Sequence, residues 1–353
     1  MQRNNRQYAM GNRQKDFLAK ALRRKGRMYS LRLCEKKLNM TVKISSPATV
    51  ANLVCGFDIL GMAIDAPFDM MEMKLIDEPV IRIKHNDEFG LSEQPENNVA
   101  GVALMALMEA SPPGPPKGGF GKPFGFEVSI NKQIKPGSGL GSSAASSAGA
   151  VVGANHLLGN IFSKEDLVRF AMNGEKLASG VKHADNLAPC IYGGVILVRS
   201  IFPLDIVELS APPLFVTVVH PQIEVRTSDA RQILKKQVLL KNAIKQWGNI
   251  AGLVTGLLKK DYELIGRSLE DVIIEPVRSI LIPGFDEIKI KCKEAGVLGG
   301  GIAGSGPSVF MLSKDESTAR SVESVMKDVY NKTGIDYNTY VTTINKRGVE
   351  IVE

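Results

Sequence analysis

The stretch PGSGLGSSAA, residues 136–145, is a glycine-rich turn that runs directly into small residues suited to the opening of a helix. Glycines let a backbone approach an anion closely, and the free N–H groups and positive dipole end of a helix N-terminus favour a polyphosphate. Pro136, Gly137, Ser138, Gly139, Leu140, Gly141, Ser142 and Ser143 are therefore the expected cradle of a nucleoside triphosphate. This is not the Walker loop, because Lys-Ser/Thr does not follow the last glycine, and the spacing differs from that of the dinucleotide fingerprint. A tight turn alone has the same look; the two hydroxyls are what add chemistry. Magnesium binds through few protein oxygens plus phosphates, so one hydroxyl and one carboxylate suffice. Ser142 or Ser143 supplies the first. Glu175, set in the otherwise apolar or basic pattern FAMNGEKLASG at 170–180, supplies the second.

Outward from the loop, residues 141–158 are almost wholly Ala, Ser, Val, Leu and Gly, which predicts a closely packed helix. Ser163 and Asp166 stand in capping-box spacing and start another, running to about 179. Residues 41–45 (TVKIS), 74–83 and 126–130 alternate as half-buried strands, and 193–198 and 214–219 are short β-branched runs of the buried kind. Residues 111–123 (SPPGPPKGGFGKP) are so rich in proline and glycine that they form a surface loop. Helical patterns at 229–259, 262–272 and 283–295, and strands at 308–312 and 340–344, complete the chain. Strands interleaved with helices in both halves predict an α+β or α/β protein. Pro212 and Pro213 mark the expected boundary between an N-terminal domain, 40–211, and a C-terminal one, 212–353.

With 353 residues, 44% hydrophobic and 23% charged, the chain has enough apolar material for two domains. Its net charge of +7 is unevenly spread. Residues 1–39 hold twelve Lys and Arg against Asp16 and Glu35, a surplus of +10, which leaves the remaining 314 residues at −3. A near-neutral body has no broad electrostatic footprint for nucleic acid, so none is expected as a partner. The arm has no apolar targeting core, and Met40 opens directly onto the first strand pattern, so 1–39 is expected to be a dispensable extension. Four scattered cysteines (Cys34, Cys55, Cys190, Cys292) argue against a zinc site or a disulfide framework. No apolar run approaches membrane-spanning length, and the cytoplasm is the expected location.

The motif PGSGLGSSAA resembles the ATP-binding motif of the GHMP kinases, and the resemblance runs from about residue 41 to the C-terminus. It implies ATP and Mg2+, with Ser143 favoured over Ser142 as the metal's hydroxyl ligand and Glu175 as its carboxylate. It also implies an N-terminal domain of the ribosomal protein S5 domain 2-like type and a C-terminal ferredoxin-like α/β plait, with ATP between them. Three further segments are similar to signatures of the GHMP kinases that act on L-homoserine: SPATVANLVCGFDILG at 46–61, VKHADNLAP at 181–189 and DVIIEPVRSILIPGF at 271–285. GGIAGSGPSVF at 300–310 fits the family's third glycine-rich motif, expected to pack beside the phosphate loop.

On that resemblance Asn52, Asp58, His183, Thr227, Arg231 and Arg278 fall at substrate-binding positions and Asp185 and Asn186 at catalytic ones. The chemistry agrees, since a free amino acid needs Arg forks for its carboxylate and carboxylates or amides for its ammonium. The implied reaction moves the γ-phosphoryl group of ATP to the hydroxyl of homoserine, giving O-phospho-L-homoserine for threonine biosynthesis, in a family where homodimers are common. A mevalonate- or sugar-type acceptor, or a silent binding protein, is the alternative. Mevalonate kinases partner an aspartate base with an N-terminal lysine, and no lysine stands in SPATVANLVCGFD. Asp185 is therefore either the base or the partner of the ammonium, with Asn186 orienting the hydroxyl. Asp58 also reads as the stabiliser of a turn after Gly56, and Asn98 reads equally as an adenine contact and as a helix N-cap.

Overall fold

The computed structural model of the chain describes residues 40–111, 124–225 and 227–352, and for Thr227 and Ser228 the backbone alone. The basic arm and the proline- and glycine-rich stretch 112–123 lie outside the described residues.

The first strand, β1 (Thr41–Ala51), opens with alternating exposed and buried residues and is buried throughout from Ser46 on. It pairs antiparallel with β2 (Leu60–Ile76), with a register shift at Pro47, which cannot donate to the ladder. At 17 residues β2 is long enough to serve two further partners. Its beginning pairs with β5 (Val195–Ile201) and its end with β4 (Gly125–Asn131). β3 (Ile81–His85) runs parallel to β4, and β6 (Leu204–Leu209) antiparallel to β5. The single strand expected across 74–83 is thus two strands, because β2 ends at Ile76 and a turn containing Pro79 intervenes.

Three helices cover this sheet: α1 (Val99–Ala110), α2 (Ser142–Leu157) and α3 (Lys164–Ser179). They pack on one another, and α2 lies against β1 and β2. The Ser, Ala and Gly residues of α2 give it no bulky face, so sheet and helices approach from every side and nearly all of it is buried. α3 is amphipathic and opens with the expected capping box between Ser163 and Asp166. Its inner face carries Leu167, Val168, Phe170 and Met172, and one turn on the same burial continues through Glu175. A short helix, α4 (Leu187–Tyr192), precedes β5.

After β7 (Phe215–Pro221) come four helices: α5 (Thr227–Gln232), α6 (Leu240–Lys259), α7 (Tyr262–Ser268) and α8 (Glu275–Arg278). Then follow α9 (Phe285–Glu294), β8 (Gly299–Ile302), β9 (Val309–Ser313), α10 (Glu316–Asn331) and β10 (Tyr337–Thr343). With those four helices set aside, the order is β-α-β-β-α-β in one antiparallel sheet arranged β10-β7-β9-β8, which is the ferredoxin-like plait that the resemblance implied. Ile288, Cys292, Met311, Met326 and Tyr330 fill its core. The helix expected over 229–259 is broken after Gln232, and the one expected over 262–272 stops at Ser268. Its continuation is pre-empted by Asp271, whose carboxylate accepts the N–H groups of Ile273, Ile274 and Glu275 at 2.8, 3.0 and 3.0 Å and starts a new turn. The last strand, β11 (Glu350–Val352), crosses back to pair with β1. Among the described residues no helix is long and apolar enough to cross a membrane.

Candidate active site

The glycine-rich loop enters α2 as expected. Gly139 and Gly141 adopt φ of 81° and 70°, and a Cβ there would lie 2.5 Å from the Ala303 carbonyl oxygen and 2.0 Å from Thr49 Oγ1 respectively. Both positions thus require glycine on two counts, conformation and space. The loop rests on the third glycine-rich stretch, where the Ser308 N–H donates to the Ser138 carbonyl at 3.2 Å. Leu140 is fully buried and its carbonyl accepts the Thr49 N–H at 3.1 Å. Pro136, Gly137, Gly139, Gly141, Ser142 and Ser143 line a cleft of about 340 Å3, while Ser138 and Leu140 hold the loop from behind.

The two serines separate clearly. Ser142 Oγ donates to the Ile134 carbonyl at 2.7 Å, a buried structural bond. Ser143 Oγ donates to Glu175 Oε2 at 2.9 Å, in the cleft. Two hard oxygen donors side by side at a helix N-terminus fit a small divalent cation that also takes phosphate oxygens. Among the described residues no group of three His, Cys, Asp or Glu side chains is placed to hold a metal by itself, so such an ion would be completed by its nucleotide. Burial raises the pKa of the Glu175 carboxyl, with the His183 charge and the Ser143 bond pulling it back.

His183 sits between two carboxylates: Nε2 lies 3.3 Å from Glu175 Oε1 and Nδ1 lies 3.0 Å from Asp185 Oδ1. Burial opposes its protonation, but the Asp185 bond and the charges of Asp185, Glu175 and Asp58 outweigh that and lift its pKa to about 9. Asp185 is itself buried. Next to it, Asn186 Oδ1 accepts the Thr49 hydroxyl at 2.7 Å, which ties the start of α4 to β1.

At the other end of the cleft the signature segment makes an unusual turn. Asn52, Leu53 and Val54 are successively left-handed, with φ of 73°, 40° and 66°, and Asp58 follows at 62°. Left-handed backbone is costly for a β-branched residue, and such strain collects at functional sites. Here the turn brings Asn52, Phe57 and Asp58 to the cleft wall. Asn52 Oδ1 accepts the Asp58 N–H at 3.1 Å and Nδ2 donates to the Gly304 carbonyl at 2.8 Å. Asp58 therefore both stabilises the turn and uses its side chain elsewhere: its two oxygens accept Nη1 and Nη2 of Arg231, each at 2.8 Å.

Arg278 is 3% exposed. Its Nε donates to the Ala230 carbonyl and its Nη1 to the Gly304 carbonyl, both at 3.0 Å. No carboxylate among the described residues pairs with it, and burial together with the nearby Arg231 charge lowers its pKa to about 10. The side chain of Thr227 lies outside the described residues. Asn98 realises the N-cap reading: Oδ1 accepts the Ala100 N–H at 2.9 Å, Nδ2 donates to the Ser92 carbonyl at 2.7 Å, and the residue is not part of the cleft lining.

Sequence reasoning missed Phe57, Thr49 and Lys132. Phe57 lay inside a quoted signature but bears no polar group. Lys132 forms a buried ion pair with Asp69 and also donates to the Ser142 carbonyl at 3.1 Å and Ser146 Oγ at 2.8 Å. Asp69 Oδ1 accepts the N–H groups of Gln133 and Ile134, both at 2.8 Å. This pair fastens the end of β4 to the first turn of α2. Its one sequence signal is a lysine four residues before the loop.

Residues 98–194 match the GHMP kinases N terminal domain and residues 253–332 the GHMP kinases C terminal domain. The homoserine kinase of Chloroherpeton thalassium is 41% identical over 315 residues, 87% of this chain and 98% of that protein. The chain belongs to the GHMP kinases, in their homoserine kinase branch. Another member, the homoserine kinase of Methanocella arvoryzae, is 38% identical over 89% of this chain and 97% of its own. Among solved structures the homoserine kinase of Cytophaga hutchinsonii superposes with a TM-score of 0.83 at 45% identity, covering 88% of this GHMP kinase and 97% of that chain. The mevalonate kinase of L. major, in complex with R-mevalonate, shares the fold at a TM-score of 0.65 and 14% identity, over 88% and 98% of the two chains.

Proposed function

We propose that this chain is an ATP-dependent homoserine kinase of the cytoplasm, transferring the γ-phosphoryl group of ATP to L-homoserine and giving O-phospho-L-homoserine for threonine biosynthesis. The single observation that carries the acceptor assignment is Arg278, a buried guanidinium on the cleft wall that no carboxylate among the described residues pairs with directly. A buried cation without a counterion is unfavourable, and an acceptor carboxylate supplies one. Asp185 lines the same cleft and suits the ammonium of that zwitterion. A neutral sugar would leave both needs unmet.

The phosphates belong at the N-terminus of α2, in the backbone cradle of 136–143. Ser143 and Glu175 are the residues that would hold Mg2+, which neutralises phosphate charge when bound. In the transfer a bond forms between the homoserine oxygen and the γ-phosphorus while the bond from that phosphorus to the bridging oxygen of ADP breaks. The hydroxyl proton leaves to Asp185 or to a phosphate oxygen. Such transfers depend mainly on positioning, so Asn186 and Asp185 need only orient the hydroxyl for catalysis to follow. His183 keeps Asp185 fixed, and the carboxylates on either side of it favour its protonated form.

The family's tendency to pair has a matching surface here. Leu240, Ile244, Trp247 and Leu258 form an exposed stripe along α6, with Gly248 and Ala251 at its middle. Such an exposed apolar stripe suits burial against a second copy of this chain. Light scattering should give a dimer mass, and Trp247→Lys a monomer.

The enzymatic reading is tested by ADP release with ATP and Mg2+, comparing L-homoserine with mevalonate, galactose, serine and threonine. Turnover confined to homoserine supports it. Turnover with another acceptor and none with homoserine refutes the acceptor assignment.

A further inference from the structure

Phe57 has no place in the chemistry so far, yet its position is singular. The Arg278 Cζ lies 5.1 Å from its ring centroid and the Arg231 Cζ lies 5.5 Å from it, so one ring attracts two guanidinium groups. Like charges held this close repel. Arg231 is relieved by a direct bidentate pair with Asp58, whereas the hydrogen bonds of Arg278 among the described residues go to two backbone carbonyls. An aromatic face carries partial negative charge and attracts a guanidinium without consuming any of its N–H donors. Arg278 is thereby steadied while its remaining donors stay available.

The ring also stands at a boundary. Behind the cleft lies a second cavity of about 10 Å3, room for about one water. Asn52, Phe57, Arg278 and Gly304 line both. Asn52 and Arg278 are fixed there by bonds to the same Gly304 carbonyl. Phe57 adds no hydrogen bond, only its faces and bulk.

We infer that Phe57 is a positioning residue for the acceptor carboxylate: its ring, in cation–π contact with both Arg278 and Arg231, steadies the two guanidinium groups so that the carboxylate meets preformed cationic partners. This rests on the reading that Arg278 receives that carboxylate. It makes the electron density of the ring, not merely its size, a determinant of acceptor affinity.

The test replaces Phe57 by its tri- and pentafluorinated analogues, which nearly keep the shape while draining the face of charge. The KM for L-homoserine should climb with each step, reaching about 10-fold for the pentafluoro ring, while the KM for ATP and the Tm hold. Phe57→Tyr should keep the wild-type KM, and Phe57→Leu should show the same rise as the pentafluoro ring. Arg278→Ala is run beside them. If it raises the homoserine KM but the fluorine series stays flat within about twofold, the role given to Phe57 is wrong and the acceptor reading stands. If Arg278→Ala itself leaves that KM unchanged, the acceptor reading fails and this inference falls with it.

Discussion

Ser143 Oγ lies 2.9 Å from Glu175 Oε2, a contact between the first turn of one helix and the fourth turn of the next. Ser142, one residue earlier, is bonded instead to the Ile134 carbonyl. Substitution should therefore split the neighbours. Ser143→Ala and Glu175→Gln should each lower kcat by about 100-fold or more with little loss of Tm, as expected for charge-positioning groups. Ser142→Ala should cost about 1 kcal/mol of stability, read by denaturant unfolding, from its buried bond.

Asp185→Asn distinguishes the two roles of Asp185. A fall in kcat at constant homoserine KM assigns it to the transition state, and a rise in KM alone assigns it to the ammonium. The bond from His183 places Asp185 rigidly enough that we expect the kcat effect.

The Asp69–Lys132 pair predicts a stability asymmetry. Asp69→Asn alone strands a buried ammonium and should cost about 3–5 kcal/mol in urea unfolding. Combining Asp69→Leu with Lys132→Met should cost much less, because no charge is then left unpaired.

His220 predicts an acid limb. Burial, aided by the Lys135 charge, lowers its pKa to about 4, and its Nε2 has no hydrogen-bond partner. Between about pH 6.5 and 4 the unfolded chain binds a proton there that the folded chain refuses. Stability should thus fall as pH drops through that window, by about 3 kcal/mol in all. His220→Gln should flatten the slope of unfolding free energy against pH over the same range.

Much of the site was legible because its motifs are local. The phosphate loop, the capping box of α3 and the carboxylate in its fourth turn all declare themselves within ten or so residues, where composition and spacing act directly. Arg278 gained meaning from its segment, whereas Phe57 had none to gain: its role exists only once Arg231 and Arg278, remote in sequence, converge on it. In the fold, α10 escaped notice because its buried set, Ala319, Val322, Met326 and Val329, is diluted by charge. β8 escaped because Gly299, Gly300 and Gly301 carry no side chains to alternate. The breaks at Pro79 and Asp271 show turn chemistry overriding a continuous pattern.

The return of β11 to β1 has a consequence for biogenesis. Lys43, Ile44 and Ser45 find their ladder partners in Val352, Ile351 and Glu350, residues translated after every other described element. Until they emerge, the edge of the first sheet is an open row of donors and acceptors, the feature through which nascent chains stick to one another. Of the described strands the first made waits for the last, so a ribosome-bound chain can hold the segments of its nucleotide cradle while this edge of its sheet remains unsealed.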